Sequence, residues 1–335
     1  MIIEQGFSGQ KGARLYKLSE LGLTVPNFKV IDFNVLESLL RKTKAKELFS
    51  EYLDKVAKIT DEGKIADLAL VYVQDLQTNI KESLQGIVAE EIRKFYSGLQ
   101  FPISVRSNFS VEDETKDSMA GVFTSRLNVN EKDLEQTVVE VLSSMFNLET
   151  MTKYRDVLPS VRPSIILQEM VSDPLLSGTF FLHSRAQENM MVFEAKYLDY
   201  GASLMDNSSD PDVKVRIPHD MSYLQVGSFE VPDKEKDKIL NAILQFVRQT
   251  VELYRLTGWD DVEFSIDRDY KINWLQARGL VFAQKGTRKE KIESLNISEN
   301  FFNTIHYRNT EANKIQSTQF QFSDEQGTIK FNEEI

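Results

Sequence analysis

The sequence predicts an α+β protein, with a helix-rich N-terminal lobe and a C-terminal lobe built on mixed or antiparallel sheet. Three observations carry that expectation. From Val35 to about Leu99 the apolar residues recur at helical spacing. From Ser164 to Ala195 the chain runs through three β-prone stretches. Near the end, Val262, Phe264 and Ile266 alternate with Glu263, Ser265 and Asp267, ahead of a polar turn and a second β-prone run.

In chain order, Gly6 to Gly12 reads as a glycine-containing loop. It feeds a short helix with Leu15, Leu18 and Leu21 on one side, stopped by Gly22 and Pro26. Phe28 to Phe33 alternates like a strand. Helices then follow, marked by Leu36, Leu39 and Leu40, by Leu48, Tyr52 and Val56, by Leu68 to Leu76, and by Ile87 to Tyr96. Pro102 opens a short strand, Ile103 to Arg106, and a polar, acidic loop runs from Ser107 to Gly121. Leu134 to Phe146 is helical. Ser164 to Val171, Thr179 to His183 and Met190 to Ala195 read as strands, Asn207 to Asp212 as a turn-rich break, and Lys234 to Leu256 as a long amphipathic helix. These signals divide the chain into an N-terminal lobe over 1–160, a C-terminal lobe over 161–283 and a polar tail over 284–335. The tail is expected to hold a linker, a helical stretch and a hairpin around Phe320 to Phe331.

The segment 262–276 reads as a β-hairpin turning at Arg268 to Lys271. Placing Glu263 opposite Gln276 sets Phe264 against Leu275 and Val262 against Ala277, which gives one mostly apolar face. A one-residue slip destroys that match. In this register Glu263 and Gln276 present their oxygens side by side.

Composition narrows the chemistry. The 335 residues contain 41% hydrophobic side chains, 21 Phe and 11 Tyr, enough to build a core. With no cysteine, disulfides, zinc–thiolate sites and cysteine nucleophiles are excluded. The formal net charge of −11 opposes nucleic-acid backbones, so no nucleic-acid partner is expected. No apolar run approaches the roughly 20 residues of a membrane span. No basic segment followed by a long apolar run opens the chain, so neither a signal peptide nor a membrane partner is expected and the cytoplasm is the default compartment.

Several residues suit a triphosphate. Lys11 lies in Gly9-Gln10-Lys11-Gly12 just ahead of a helix, where an ammonium and a helix N-terminus can meet one anion. Arg106 ends a strand and can fork across two phosphate oxygens. Glu263 and Gln276 offer paired oxygens, and Mg²⁺ needs only one or two protein carboxylates beside phosphate and water. Arg278, two residues beyond Gln276, shares its face and can stabilise charge on a transferring phosphoryl group. Each has an ordinary alternative: a solvated loop lysine, a surface ion pair, a solvent-facing strand pair. The phosphate loop Gly-x-x-x-x-Gly-Lys-Ser/Thr does not occur.

The order of short motifs separates these alternatives. Gly9-Gln10-Lys11-Gly12-Ala13-Arg14-Leu15 with Gly22-Leu23-Thr24-Val25-Pro26 resembles the opening of the pyruvate phosphate dikinase, phosphoenolpyruvate synthase and rifampicin phosphotransferase family. Val105-Arg106-Ser107, Glu112-Asp113, Ala120-Gly121 and Leu127-Asn128-Val129 are similar to its next block, and Leu167-Gln168-Glu169-Met170-Val171 with Ser177-Gly178 to the one after. Asp261-Val262-Glu263-Phe264 and Leu275-Gln276-Ala277-Arg278 resemble its closing block. The motifs keep the family order over about residues 6 to 280.

The resemblance implies an ATP-grasp-like, bilobal fold. It implies that Lys11 and Arg106 hold phosphates, that Gly121 and Ser125 lie in a covering loop, and that Gln168, Met170 and Val171 form the adenine hinge. By the same resemblance Glu194 reaches the ribose, Glu263 and Gln276 bind Mg²⁺, and Arg278 acts at the transferred phosphate. Three departures stand out: Leu198-Asp199-Tyr200-Gly201 replaces a Gly-Leu-Gly-Glu, Ser125 replaces a Thr, and Gly279 replaces a Pro.

Members of this family pass phosphate through a histidine on a separate swivelling domain. His183, His219 and His306 are the histidines here, and none sits in a Gly-Gly-x-x-x-His setting. The expectation is therefore an Mg-ATP-binding phosphotransferase domain that works with a phosphohistidine domain, in the same protein or a partner chain, toward a small-molecule acceptor. The competing expectations are a nucleotide-binding scaffold without transfer and a self-contained small-molecule kinase.

Overall fold

The structure, a computed structural model, describes residues 9–112, 121–183, 190–205, 208–219 and 224–279, together with the backbone of four short strands beyond them. The chain divides into two compact units. The first comprises Met1–Lys17 and Pro26–Met170, the second Leu18–Val25 and Val171–Ile335.

The first unit opens with α1 (Gly9–Glu20), whose last turn from Leu18 counts with the second unit. The helix starts at Gly9, inside the stretch expected to be a loop, because the buried Asn108 side chain accepts from the N–H of Gly12 at 3.0 Å and so satisfies a donor the helix itself leaves open. Strand β1 (Phe28–Ile31) follows, then α2 (Phe33–Leu40), α3 (Ala45–Val56), α4 (Glu62–Leu84) and α5 (Val88–Tyr96). In α4 the buried residues Ile65, Ala69, Tyr72, Leu76, Ile80 and Leu84 recur every three or four positions, a single apolar stripe. Asp61 caps this helix, accepting from the Lys64 N–H at 2.8 Å. Tyr72 of the stripe packs on Tyr52 of α3, ring centroids 5.5 Å apart.

Next come β2 (Ile103–Ser107), β3 (Ser125–Val129), α6 (Leu134–Ser143), α7 (Leu148–Thr152) and β4 (Ile165–Glu169). The four strands form an antiparallel sheet in the order β1-β4-β2-β3. Ile31, Ile103, Val105, Ile165 and Leu167 join the helical core, and all are buried. The register places Arg106 opposite Ile166 and Ser104 opposite Gln168, so Arg106 and Gln168 lie on one face of the sheet, with Ser125 opposite Arg106 on its other side.

The second unit is built on an eight-stranded sheet ordered β10-β9-β5-β6-β7-β8-β11-β12. Its members are β5 (Pro174–Phe181), β6 (Met190–Tyr197), β7 (Val213–Pro218), β8 (Leu224–Phe229), β9 (Asp261–Asp267), β10 (Ile272–Arg278), β11 (Tyr307–Asn309) and β12 (Lys314–Gln316). Neighbours are antiparallel except β8 with β11, which run parallel. Helix α8 (Ala202–Met205) is a single turn, and α9 (Asp233–Thr257) is the long helix expected from the sequence. Phe246 of α9 packs on Phe180, Phe193, Phe264 and Trp274, with ring centroids 4.4 to 5.9 Å away, so α9 covers the apolar face of the sheet. Residue 178 must be Gly: a Cβ there would lie 1.9 Å from the Glu194 carbonyl oxygen on β6. The tail hairpin is present as β13 (Gln319–Phe322) and β14 (Ile329–Asn332), with Phe320 opposite Phe331. The helical stretch expected ahead of it, and His306, lie outside the described residues.

The mixture of a helix-rich first unit and a largely antiparallel second unit is the α+β class the sequence predicts.

Candidate functional site

In the first unit, α1 and the end of β2 bring Lys11 against residues nearly a hundred positions away. Lys11 Nζ donates to the Ser107 carbonyl oxygen at 3.2 Å, lies 3.5 Å from Ser107 Oγ, and pairs with Glu112 Oε2 at 2.6 Å. The clamp holding this arrangement is Asn108. Its N–H donates to the Ser164 carbonyl at 3.0 Å, its Nδ2 to Ser164 Oγ at 2.7 Å, and Ser164 Oγ donates back to the Asn108 carbonyl at 2.6 Å. Gly9 belongs to the same junction. It has φ of 62°, and a Cβ on it would lie 2.2 Å from the Asn108 carbonyl oxygen.

On the sheet face of this unit, Arg106 donates to Gln168 Oε1 at 3.3 Å. Gln168 is buried, and its Nε2 has no hydrogen-bond partner among the described residues. A buried amide donor with nothing to donate to is costly unless a ligand completes it. Met170, expected at the adenine hinge, donates its N–H to the Pro102 carbonyl at 3.3 Å. Ser125 is exposed on β3, and Gly121, with φ of 81°, has open space where a side chain would stand. The loop at 113–120 lies outside the described residues.

In the second unit, the sheet face turned away from α9 carries a polar row. Gln276 is paired with Glu263, Glu263 with Thr179, Thr179 with Glu194, and Glu194 with Lys214. Side chains directly opposed on adjacent strands share a face, so these five form one line across five strands. Lys214 makes an ion pair with Glu194. One step along β9 and β10, Arg278 lies opposite Asp261 and donates from Nε to Oδ2 at 2.6 Å. Asp261 is 4% exposed at its side chain, so the pair fixes the guanidinium at the strand end.

The expected register holds at Glu263–Gln276 and Val262–Ala277. It fails at Phe264, which faces Trp274 rather than Leu275. A bulge at Leu275 is the reason. It lets Trp274 enter the core beside Phe246 and still returns Gln276 to the polar face.

Glu263 and Gln276 supply one carboxylate and one amide oxygen, hard donors that suit Mg²⁺ when phosphate and water complete its shell. Among the described residues, no group of three or more His, Asp or Glu could form a self-sufficient metal site. His183 Nε2 lies 3.2 Å from the Tyr254 hydroxyl, and His219 Nε2 2.7 Å from the Leu182 carbonyl oxygen.

Sequence reasoning named Lys11, Arg106 and Gln168 but missed Asn108, Ser164, Asp261 and Lys214, whose tasks exist only through their partners. Asn108 had a signal in its place directly after Val105-Arg106-Ser107. Val171, Glu194, Glu263, Gln276 and Arg278 belong to the second unit, and the other candidates to the first.

A match to a known family pattern gives the class, a nucleotide-binding domain of dikinase type. The chain belongs to the pyruvate phosphate dikinase AMP/ATP-binding domain family, whose pattern it matches over residues 6–227. It is similar to a probable phosphoenolpyruvate synthase of Methanothermobacter thermautotrophicus, 22% identical over 217 residues, covering 62% of this chain and 31% of that protein. The chain thus spans about a third of the length of the curated relative it matches. Among solved structures it is similar to an L-amino acid ligase from Bacillus licheniformis, with a TM-score of 0.35 and 11% identity over 82% of this chain and 43% of that one. It is also similar to the ATP-grasp ligase PsnB complexed with minimal precursor, Mg and ADP, with a TM-score of 0.30 and 12% identity over 84% of this chain and 56% of that one. Structural likeness at these scores carries no inference about activity. No described helix is long and apolar enough to cross a membrane.

Proposed function

We propose that this chain binds Mg-ATP and passes a phosphoryl group from it to a histidine on a separate swivelling domain, which then delivers it to a small-molecule acceptor such as pyruvate, an antibiotic or glutamine. The observation that carries the reading is the direct opposition of Glu263 and Gln276, with Arg278 held on the same face by Asp261, in a member of an AMP/ATP-binding family. In this reading Lys11 and Arg106 bind phosphate oxygens, and the loop with Gly121 and Ser125 covers them. Gln168, Met170 and Val171 receive the adenine, Gln168 through its unpartnered Nε2, and Glu194 accepts from the ribose.

Glu263 and Gln276 would hold Mg²⁺, which supplies charge neutralisation for the β- and γ-phosphates when bound. The chain's own part is positioning and electrostatics. Arg278 stabilises charge that grows on the phosphoryl oxygens during transfer, and its contact with Asp261 keeps it from wandering. The chain holds no histidine in a carrier motif, so the acceptor nitrogen comes from elsewhere.

Isothermal titration with ATP, with and without Mg²⁺, tests binding, and labelled ATP with a Gly-Gly-x-x-x-His domain tests transfer. The expected result is Mg-dependent binding and label on that histidine. Absence of binding under both conditions would overturn the reading. Binding with no label passed to any histidine domain, while a small acceptor is labelled directly, would make the chain a self-contained kinase.

A further inference from the structure

The Lys11 ammonium is fully engaged in the free protein. It has three N–H donors, and among the described residues three oxygens surround it: Glu112 Oε2 at 2.6 Å, the Ser107 carbonyl at 3.2 Å and Ser107 Oγ at 3.5 Å. A phosphate oxygen can take the ammonium only if one of these lets go.

Glu112 has no task in the reading above, yet it is among the most enclosed charged groups of its unit. Its side chain is 3% exposed, against 16% for Lys11. Both carboxylate oxygens are buried without a hydrogen-bond partner among the described residues, so the Lys11 contact is an ion pair rather than a directed hydrogen bond. Native buried carboxylates ordinarily collect several donors. Among the described residues this one leans on a single cation. Of the three oxygens around Nζ, the two from Ser107 are neutral. Only Glu112 competes with phosphate on equal terms of charge, and only Glu112 repels it.

We propose that Glu112 is a displaceable counter-ion. Resting on the reading of Lys11 as a phosphate ligand, Lys11 exchanges the Glu112 carboxylate for a phosphate oxygen when a polyphosphate binds. No covalent bond changes. Before binding, the pair holds the ammonium at the end of β2, where α1 and the Asn108 clamp have placed it. On binding, the attraction given up to Glu112 subtracts from the affinity. Glu112 is thus a positioning residue that also lowers polyphosphate affinity.

The consequence runs against the usual effect of removing a buried partner. Glu112→Gln keeps the shape, leaves Lys11 its two Ser107 oxygens and removes the competing charge. Titration calorimetry on the full chain, with Mg-ATP and with inorganic tripolyphosphate, should show the variant binding both about tenfold tighter than the wild type, the scale on which one adjacent charge acts. Adding Lys11→Met should remove most of that gain, leaving only the relief of Glu112's own repulsion of phosphate. Glu112→Asp, which keeps the charge on a shorter stem, should fall between, and it serves as the second variant if Glu112→Gln fails to fold by thermal melting. Wild-type binding with equal or weaker affinity in folded Glu112→Gln overturns the exchange and leaves the nucleotide reading standing. A gain of undiminished size in Glu112→Gln/Lys11→Met also overturns it. If the wild type gives no heat with either ligand but Glu112→Gln binds tripolyphosphate, the exchange is supported. If no variant binds either ligand, the nucleotide reading falls and the exchange with it.

Discussion

Glu263 and Gln276 stand directly opposite each other on β9 and β10, and they do so across a bulge that sends their neighbours Phe264 and Trp274 to the other face. In an unbulged strand Trp274 and Gln276, two residues apart, would share a face. Either the indole would stand among the polar row or the amide would be driven into the core. The extra residue, Leu275, removes that conflict. If this pair holds Mg²⁺, Glu263→Ala should weaken Mg-dependent ATP binding at least about tenfold, since even groups behind a metal ligand cost that much when removed. Glu263 is only half-buried, so the melting temperature should change little. Titration with and without Mg²⁺ checks both, and an unchanged Mg-dependent affinity would reject the ligand role.

The bulge also marks where the sequence stops being legible. Period-two alternation located both strands, and the apolar match placed Glu263 against Gln276. Whether Trp274 or Leu275 fills the core is a competition in three dimensions, decided by the space beside Phe246 on α9. Strand β7, Val213–Pro218, alternates apolar and basic residues and was readable, yet the turn-rich text before it masked the signal. Strand β5 begins at Pro174, a residue tolerated at the first position of a strand, so the proline hid four more residues of strand behind it. The contacts of Lys11 with Ser107 and Glu112, and of Asn108 with Ser164, were not legible at all. They join segments far apart in sequence, and no local pattern encodes them.

Arg278 is held by Asp261, and the pair separates catalysis from stability. If Arg278 acts on the transferring phosphoryl group, Arg278→Ala should lower turnover more than ATP affinity. It should also destabilise the second unit by about 3 kcal/mol, because the buried Asp261 carboxylate loses its charged partner. Adding Asp261→Asn removes the buried negative charge. The double variant should recover much of the stability while turnover stays low. Denaturant melts beside steady-state kinetics distinguish the two effects, and recovery of turnover in the double variant would refute the assignment.

Tyr197 gives a pH signature in the second unit. Its hydroxyl donates to Glu235 Oε2 at 2.7 Å. Burial first, and then the Glu235 hydrogen bond and charge, push its phenol up to about 12. A phenol whose folded value is raised favours the folded state while it is protonated. Its stabilisation is complete below the ordinary tyrosine range near 10 and is lost as pH climbs from there toward the raised value. The stability difference between wild type and Tyr197→Phe should therefore be flat from neutral pH to about 10 and shrink above it. A difference that stays flat into the alkaline range would show that the two states share one phenol pKa.

Gly9 ties the backbone of α1 to the placing of Lys11, and a single added methyl group tests that link. At φ of 62° the residue sits in the left-handed region, where a side chain is disfavoured. Its Cβ would also meet the Asn108 carbonyl oxygen at 2.2 Å and the Asn108 Cγ at 2.7 Å. Asn108 cannot yield easily, because three hydrogen bonds to Ser164 and one from Gly12 hold it in place. The helix start must therefore give way, and Lys11 moves with it. Gly9→Ala should lower stability by about 1–3 kcal/mol and reduce ATP affinity as well. Lys11→Met/Glu112→Gln, which deletes the ammonium together with the charge of the buried carboxylate it pairs with, should reduce affinity and leave the α1 junction with Asn108 intact. Melting temperatures read against calorimetric affinities separate the two, and a Gly9→Ala variant that binds ATP like the wild type would break the link between this junction and the nucleotide.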